Sequence, residues 1–550
     1  MNVVSWAQTA AVILGIYYIV VYLERALRRR LLVKRTYVLD IATLGRRLPS
    51  QKIKGTAVIC GGSIAGLVAA RVCHDHFEDV VIVEPETWLS SQDAKRTDVW
   101  NQENKRTRVM QYGLFHSFLA SGYMSCARLF PNLAEECKLS STRIGPNDQQ
   151  VHMWGSEVVS PFKQYSGSLP KTLYLGRAGL ETLLRRLVLG GDYKGIRQVI
   201  GTAVGISRDV SDPYLIDSVT VRTPEGTVTD IPAALVIDCT GSAAAGLKWL
   251  RREGYGVNNT YARNELPLDK LKISYDQKLH YSSLQFHVPP ELGRKLPGLP
   301  VPYDECGMIY VFIPDTDKEN RCIYTQRIEG DFIQFCFSVT GSESADELPK
   351  TLEEAKDWAR NLVTEVPIPE GWYAMLDMLK EVQDTMTCSQ VRFAPSTWIR
   401  YEKGVNLPSN WIATGDSVMR VNPIFGHGCS KAIGGAVCLN KLLQTVPVSI
   451  PKDFSKQYFR MHADKIEPIW NTNKTIDYAF PTTVPVPGET LSEGAWLRWY
   501  MKKLTDLAFT DAQAASALWH VRVLLAPPTD LMQLSLVLKV AWNLIRGPCT

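Results

Sequence analysis

The sequence predicts an α/β fold that consists of a Rossmann-like domain, an inserted antiparallel sheet, a helical C-terminal region and one N-terminal transmembrane helix. Three observations support this prediction. A strand, a glycine-rich turn, a helix and a second strand follow one another within about thirty residues, starting at Thr56. Alternating, aromatic-rich segments between residues 270 and 340 are typical of antiparallel strands. An apolar run begins at Val3.

Composition places the chain among globular proteins. Its 550 residues are 45% hydrophobic and 21% charged, which excludes a mostly disordered or polytopic membrane protein. The net charge of +5 is already reached within the first 35 residues, so the neutral body excludes nucleic-acid binding. The 12 cysteines are scattered without a CxxC pair, so neither a disulfide framework nor a metal site is predicted.

The N-terminal run predicts a membrane anchor. Val3–Leu23 is almost wholly apolar and long enough to cross a bilayer core of ~30 Å. Basic residues follow from Arg25 to Arg35, which predicts a single-pass protein of the endoplasmic reticulum membrane with its body in the cytosol. A cleaved signal peptide and an interfacial helix are the alternatives. Near the other end, Leu531–Ile545 predicts either an interfacial membrane helix or a core-packed helix.

The first glycine-rich turn has the pattern of a dinucleotide-binding motif. It reads Gly-Gly-Ser-Ile-Ala-Gly, where Gly61 permits a tight turn and Gly66 lets the helix pack closely on the strand. Ser63 replaces the usual middle glycine and is small enough for a pyrophosphate to approach the backbone. Glu84, at the end of the second strand, lies where an acidic residue binds ribose hydroxyls.

A second glycine-rich motif lies about 350 residues after the first and predicts another part of the same site. Asp416 follows a strand and a glycine, a position from which its carboxylate can accept from a ribityl or ribose hydroxyl. The following turn contains Pro423, Gly426, His427 and Gly428 and begins a helix whose N–H groups would face the cofactor. An ordinary turn with a capping Asp is the alternative.

Apolar patterning places these motifs in a discontinuous nucleotide-binding domain. It predicts strands at Thr56–Cys60, Asp79–Val83, Ala234–Ile237, Met308–Ile313, Phe332–Val339 and Trp411–Ala413, and helices at Ile64–His76, Leu180–Leu189 and from Ser430 onward. The predicted domains are a membrane anchor (1–35), a linker (36–52), the nucleotide-binding domain (53–120, 165–255 and 390–450), a substrate domain (121–164 and 256–389) and a helical region that is a candidate for membrane association (451–550).

Together these motifs resemble the superfamily of FAD-dependent aromatic hydroxylases and squalene monooxygenases over roughly residues 55–480. Gly176-Arg177 and the stretch Asp238–Gly241 add to the resemblance. Within the superfamily, the chain is most similar to the polyene epoxidases of polyether biosynthesis, which share the NPI-aromatic-GHG stretch and a segment like Ile476–Tyr478. Ser242 departs from the family, which often has an arginine there, so a nicotinamide role for that turn is not implied.

The resemblance implies a FAD-binding domain of the glutathione-reductase type, with FAD held non-covalently by Arg177 and Asp416. It also implies that Gln111 lies near the isoalloxazine ring. Gln111 and His427 are the candidate catalytic residues, although His427 is equally well explained as a core histidine.

The implied activity is a monooxygenase that inserts one atom of O2 into a lipophilic unsaturated substrate, such as a terpenoid or a polyene of secondary metabolism, by epoxidation or hydroxylation. NADPH is the expected electron donor, either directly or through a membrane reductase. The alternatives are an isoprenoid double-bond reductase, a flavin-dependent halogenase, whose WxWxI motif is absent, and a non-catalytic flavoprotein in an assembly.

Overall fold

A computed structural model describes residues 3–257 and 264–546. The strands are β1 (Ile53–Cys60), β2 (Phe77–Glu84), β3 (Arg143–Pro146), β4 (Val151–Met153), β5 (Ser156–Glu157), β6 (Lys171–Tyr174), β7 (Ile196–Ile200), β8 (Thr202–Arg208), β9 (Ile216–Arg222), β10 (Val228–Pro232), β11 (Leu235–Asp238), β12 (Lys272–Tyr275), β13 (His280–His287), β14 (Met308–Ile313), β15 (Arg321–Ile328), β16 (Phe332–Val339), β17 (Thr387–Arg392), β18 (Ser396–Ile399), β19 (Trp411–Ala413) and β20 (Met419–Arg420). The helices are α1 (Val3–Arg35), α2 (Ile64–His76), α3 (Ala120–Leu129), α4 (Leu133–Leu139), α5 (Arg177–Leu189), α6 (Ala245–Arg252), α7 (Pro290–Gly293), α8 (Leu352–Arg360), α9 (Glu370–Met378), α10 (His427–Leu443), α11 (Phe454–Asp477), α12 (Ala495–Ala508), α13 (Ala512–Arg522) and α14 (Leu534–Arg546).

A five-stranded parallel sheet, in the order β19-β11-β1-β2-β7, forms the centre of the first layer. Its central strands are continuous apolar runs because helices α2 and α5 and the three-stranded antiparallel sheet β10-β9-β8 pack against the sheet. The carboxyl ends of β1, β2, β11 and β19 meet at one edge, where the first glycine-rich turn, Glu84 and the Gly415–Ser417 turn follow them. This edge is where ligands bind in open parallel sheets.

A seven-stranded sheet forms the second layer, in the order β17-β13-β16-β15-β14-β4-β5. It is antiparallel except where β14 pairs with β4. One face packs against α8 and α9 around buried aromatic residues such as Phe335 and Phe337. The opposite face carries Tyr281, Tyr324 and Cys336 toward the nucleotide-binding layer. The second layer therefore supplies one wall of the candidate site.

The C-terminal region is helical, as predicted. Helix α11 packs on α10, and α12, α13 and α14 form a smaller core of their own around Leu504 and Leu536. In α14, Leu536 and Val540 are buried whereas Leu538 and Trp542 are exposed, so one helix face packs on the protein and the other faces outward.

Helix α1 is the main departure from the prediction. Within the described residues, no helix combines the length and the apolar content needed to cross a membrane. The predicted transmembrane helix is therefore wrong, and so is the single-pass membrane localisation that was derived from it. The apolar run is interrupted by polar residues, and α1 continues without a break through the basic segment. Arg28 and Arg35 of that segment form ion pairs with Asp530 and Glu467 of the body.

Residues 36–52 pack on the first layer. Tyr37, Ile41 and Leu44 are buried in its core, and Asp40 pairs with the buried Lys465 at 2.9 Å. The segment predicted as a linker thus joins α1 to the rest of the protein through apolar and charged contacts.

Candidate active site

The first glycine-rich turn has a backbone that only glycine fits. Gly61 adopts φ +120°, and a Cβ there would lie 2.3 Å from the Cys239 carbonyl oxygen. A Cβ at Gly66 would lie 1.8 Å from the Gly61 oxygen. The tight turn directs the first turn of α2, whose leading N–H groups have no intrahelical acceptor, toward a groove of about 600 Å³. A helix N-terminus with this exposure favours an anionic group such as a pyrophosphate.

Glu84 lies beside this turn at the end of β2. Its carboxylate accepts a hydrogen bond from the Gly62 N–H at 2.9 Å and lines the groove. Burial raises the pKa of Glu84, and the guanidinium of Arg106, 3.4 Å away, opposes this effect. Glu84 therefore lies at the groove beside a cationic neighbour, Arg106, that sequence reasoning missed.

A buried ionic cluster stands behind Glu84. Arg106 pairs with Glu84, Glu86 and Glu181, all of which are buried. Burial alone would raise the pKa of Glu181, but Arg177 and the other arginines around it lower that pKa to about 2. Arg106 lies in an irregular, charge-rich segment between β2 and α3, where no motif marks it.

Arg177 opens α5 and faces the same groove. Its Nη2 donates to Ser63 Oγ at 2.8 Å, and its Nη1 lies 2.9 Å from the Glu181 carboxylate. Ser63 Oγ in turn donates to Glu181 at 2.8 Å. The structure thus brings together two predicted cofactor-binding residues that are 114 positions apart.

Asp416 projects into the groove from the turn after β19. Its side chain is 45% exposed and pairs at 3.2 Å with Lys431, whose ammonium is buried. Lys431 also donates to the Met419 carbonyl oxygen, which fixes the lysine behind the carboxylate. Asp416 is therefore held in place on one side and open to a ligand on the other.

The loop Asn422–Gly428 separates the groove from the interior of the protein. Asn422 Oδ1 accepts from the Ile424 N–H at 3.0 Å, which closes the turn that contains Pro423. Gly426 has φ +69°, and a Cβ there would lie 3.3 Å from the Ser117 Cβ. Gly428 has open space around its Cα and lines the groove.

Two cavities continue from the groove. The first, of about 70 Å³, lies against Pro423, Gly426 and Gly428 and shares Gln111, Asp416 and Arg420 with the groove. The second, of about 220 Å³, has a largely apolar lining and shares Tyr324, Ile424, Phe425 and Arg522 with the first. We call the first of these the junction cavity and the second the apolar cavity. Their shared lining residues show that the groove, the junction cavity and the apolar cavity adjoin one another in this order.

The two candidate catalytic residues lie in different parts of this series. Gln111 lines both the groove and the junction cavity. His427 lines the apolar cavity, on the far side of its loop from the groove. Burial lowers the pKa of His427 to about 4, so the ring is neutral at pH 7.

The hydrogen bonds of His427 define which ring nitrogen carries the proton. Asn473 Nδ2 lies 3.2 Å from His427 Nδ1 and also donates to the Ile469 carbonyl oxygen, which orients the amide. Nδ1 is therefore assigned as an acceptor and Nε2 as the N–H donor. Such a neutral ring supplies a hydrogen bond rather than a general base.

Sequence reasoning also missed two charged residues of the cavities. Asp477 is buried and accepts from Tyr275 Oη and Asn422 Nδ2, both at 2.8 Å, and burial raises its pKa to about 7. Arg522 ends α13 and lines both cavities. The resemblance at Ile476–Tyr478 implies no role for Asp477, and no local pattern marks Arg522.

Comparison with known proteins agrees with this architecture. No protein-family model matches the chain. Protein Rv3254 of Mycobacterium tuberculosis is 24% identical over 453 residues, which cover 79% of this chain and 83% of that protein.

Solved structures match over most of the chain. A flavoprotein/dehydrogenase from Cytophaga hutchinsonii has a TM-score of 0.53 and 13% identity, covering 89% of this chain and all of that one. The flavin-dependent brominase Bmp2 has a TM-score of 0.51 and 13% identity, covering 86% and 98%. PqsL of Pseudomonas aeruginosa, a probable FAD-dependent monooxygenase, has a TM-score of 0.50 and 15% identity, covering 85% and 99%.

The chain shares its fold with these flavin-dependent proteins. The resemblance that the two glycine-rich motifs indicate is thereby confirmed at the level of the superfamily's fold. The closer similarity to polyene epoxidases stays a prediction.

Proposed function

We propose that the protein is an FAD-dependent monooxygenase that inserts one oxygen atom of O2 into an apolar unsaturated substrate. The observation that carries this proposal is the series of spaces on either side of the Asn422–Gly428 loop. A groove with the features of a dinucleotide site leads through the junction cavity into a space with a largely apolar lining. A cofactor and an apolar molecule bound in this series would meet at the loop.

The residues of the groove fit FAD. The glycine cradle and the N-terminus of α2 suit the pyrophosphate, and Arg108 and Arg177 add positive charge at the groove wall. Glu84 and Asp416 supply acceptors for the ribose and ribityl hydroxyls. The first turn of α10, which begins beside Gly428, suits the ring edge where negative charge collects on reduction. We propose that FAD binds non-covalently.

Bound FAD supplies, once reduced, the activation of O2. The chain itself positions the substrate and excludes water. Tyr281, Met308 and Val311 of the seven-stranded sheet and Ile424 and Phe425 of the loop surround the junction cavity with apolar surface. Gln111 lies where a side-chain amide can hydrogen-bond to the ring or to the substrate. His427 lines the apolar cavity, where its ring lies beside the backbone of Arg522.

We propose NADPH as the source of electrons, directly or through a separate reductase. The sequence has a single dinucleotide fingerprint, which the proposal assigns to FAD. NADPH that donates directly would therefore bind transiently, because the sequence has no second fingerprint for it. Flavin reduction measured by stopped flow with NADPH alone separates the two routes.

The proposed reaction is tested with labelled dioxygen. The purified protein should be yellow and should release FAD when it is denatured. With 18O2, NADPH, a general flavin reductase and a panel of terpenes and polyenes, mass spectrometry should detect products that carry one heavy oxygen. Label that enters from H2 18O instead would contradict oxygen insertion from O2. Saturation of a double bond under anaerobic conditions would favour the reductase alternative, and a brominated product in bromide buffer would favour a halogenase.

A further inference from the structure

Arg522 is an unpaired cation between the two cavities. It is the last residue of α13 and lines both the junction cavity and the apolar cavity. Among residues 3–257 and 264–546, no carboxylate lies within 4.0 Å of its guanidinium, and no side-chain hydrogen bond satisfies it. The carboxylates that line these cavities belong to Asp416 and Asp477, and both have other partners.

The groups around Arg522 do not neutralise it. Tyr324 and Cys322 are its electrostatic neighbours, and burial raises the pKa of both, that of Cys322 to about 12, so both are neutral at pH 7. The C-terminal end of α13 offers the partial negative charge of a helix terminus but no full anion. A half-buried guanidinium without a counter-ion is costly unless an anion joins it.

The other cations of the apolar cavity provide the contrast. Arg35 pairs with Glu467, and Lys465 pairs with Asp40 at 2.9 Å. Arg420, which also lines the junction cavity, donates to the Pro395 carbonyl oxygen. Arg522 differs from these three cations because its guanidinium has neither an acid nor a carbonyl partner among the described residues. Gln149 lines both cavities as well, and its Oε1 is buried without a partner among the described residues. Arg522 and Gln149 thus place polar groups where the junction cavity meets the largely apolar cavity.

We propose that the substrate is an apolar acid whose carboxylate pairs with Arg522. This inference rests on the proposed monooxygenase function and adds the substrate class to it. The planar fork of the guanidinium matches a carboxylate with two parallel hydrogen bonds. The hydrocarbon part of the acid lies along the apolar cavity or the junction cavity, and the ion pair fixes which part of it faces the Asn422–Gly428 loop. Arg522 is accordingly a specificity-determining residue.

Calorimetric titration tests the pairing with matched acids and alcohols. Farnesoic acid, oleic acid and cinnamic acid are each compared with the corresponding primary alcohol, on the FAD-bound protein and after FAD removal. At least one acid should bind ten or more times tighter than its alcohol. Arg522→Gln should weaken that acid about ten- to a hundredfold and leave the alcohol within threefold. Arg522→Lys keeps the charge and should retain an acid preference, whereas Arg546→Gln, on α14, is the matched control and should change neither affinity.

Three outcomes would overturn the proposal. One is equal affinity for every acid and its alcohol in the unaltered protein. Another is an acid preference that persists in Arg522→Gln. The third is bromide or chloride that binds through Arg522 without competition from any acid, which would make the residue an inorganic-anion site. Failure of the protein to bind FAD would overturn the proposed function instead, and the titrations on the FAD-free protein would still report on Arg522.

Discussion

Arg177 donates from Nη2 to Ser63 Oγ at 2.8 Å and so links the start of α5 to the glycine-rich turn. In most helices a serine at this position would cap the helix through its own side chain, but Ser63 forms no such bond to α2. Its hydroxyl is held between Arg177 and Glu181 instead. The leading N–H groups of α2 consequently stay available to a ligand, with a guanidinium beside them.

Replacement of Arg177 tests this arrangement. Arg177→Met should weaken FAD binding about ten- to a hundredfold, because a charged hydrogen-bond donor to a phosphate or hydroxyl is worth ~1.5–3 kcal/mol. The fold should survive, since Arg106 and Arg185 still compensate Glu181. Fluorescence titration of the FAD-free protein measures the affinity. Arg186→Met on the same helix, where Arg186 pairs with Glu136, is the control and should leave FAD affinity unchanged.

Asp416 is predicted to contribute to FAD binding and, separately, to stability. Asp416→Ala should lower FAD affinity about ten- to a hundredfold. It should also lower the melting temperature, because the buried ammonium of Lys431 loses its counter-ion. Adding Lys431→Met to this variant removes the stranded charge and should restore stability but not FAD affinity. Full FAD affinity in Asp416→Ala would place the ribityl contact elsewhere.

The sequence was a good guide to elements whose pattern is local. Helix α2 and strands β14, β16 and β19 begin and end at the predicted residues. Buried strands and an amphipathic helix leave their signature in consecutive residues, and the glycines of the turn are dictated by backbone contacts at one place. The position of Glu84 at the groove follows from the same βαβ unit.

Features that arise from contacts between distant residues could not be predicted. Arg106 joins Glu84 and Glu181 across three separate segments, and Arg522 reaches the junction only because α13 packs over the cavity. The membrane anchor was wrong for the same reason, since the partner of Arg28 lies 502 residues away in sequence. A basic cluster after an apolar run has the same sequence pattern in both cases, whether its charges flank a bilayer or pair with acids of the protein. The pattern alone therefore does not distinguish the two.

The docking of α1 is testable through that ion pair. Asp530 is largely buried and accepts from Arg28 Nε at 2.9 Å, so Arg28→Glu places two carboxylates together. We expect faster hydrogen exchange in residues 21–35 and a loss of stability on the order of 1 kcal/mol, which is modest because Arg28 is half exposed. Arg29→Glu makes the same charge change at an exposed neighbour and should have little effect. Equal exchange in both variants would mean that the pair does not hold α1.

The buried Asp477 predicts a distinct pH dependence of stability. Burial raises its pKa to about 7 in the folded protein, against an ordinary value near 4 in the unfolded chain. Between these two values the folded state binds more protons than the unfolded state. The contribution of this group to the free energy of unfolding is therefore greatest below about pH 4 and is lost as the pH rises to about 7.

Asp477→Asn removes this titration while an amide can still accept from Asn422 at its oxygen and donate to Tyr275. Other groups titrate in both proteins, so the informative quantity is the difference in unfolding free energy between the two. Relative to the unaltered protein, Asp477→Asn should gain stability from pH 5 to pH 8, by roughly 2–4 kcal/mol. Urea unfolding at several pH values measures this difference. A difference that does not change with pH would mean that Asp477 stays ionised in the folded state and places an anion at the apolar cavity.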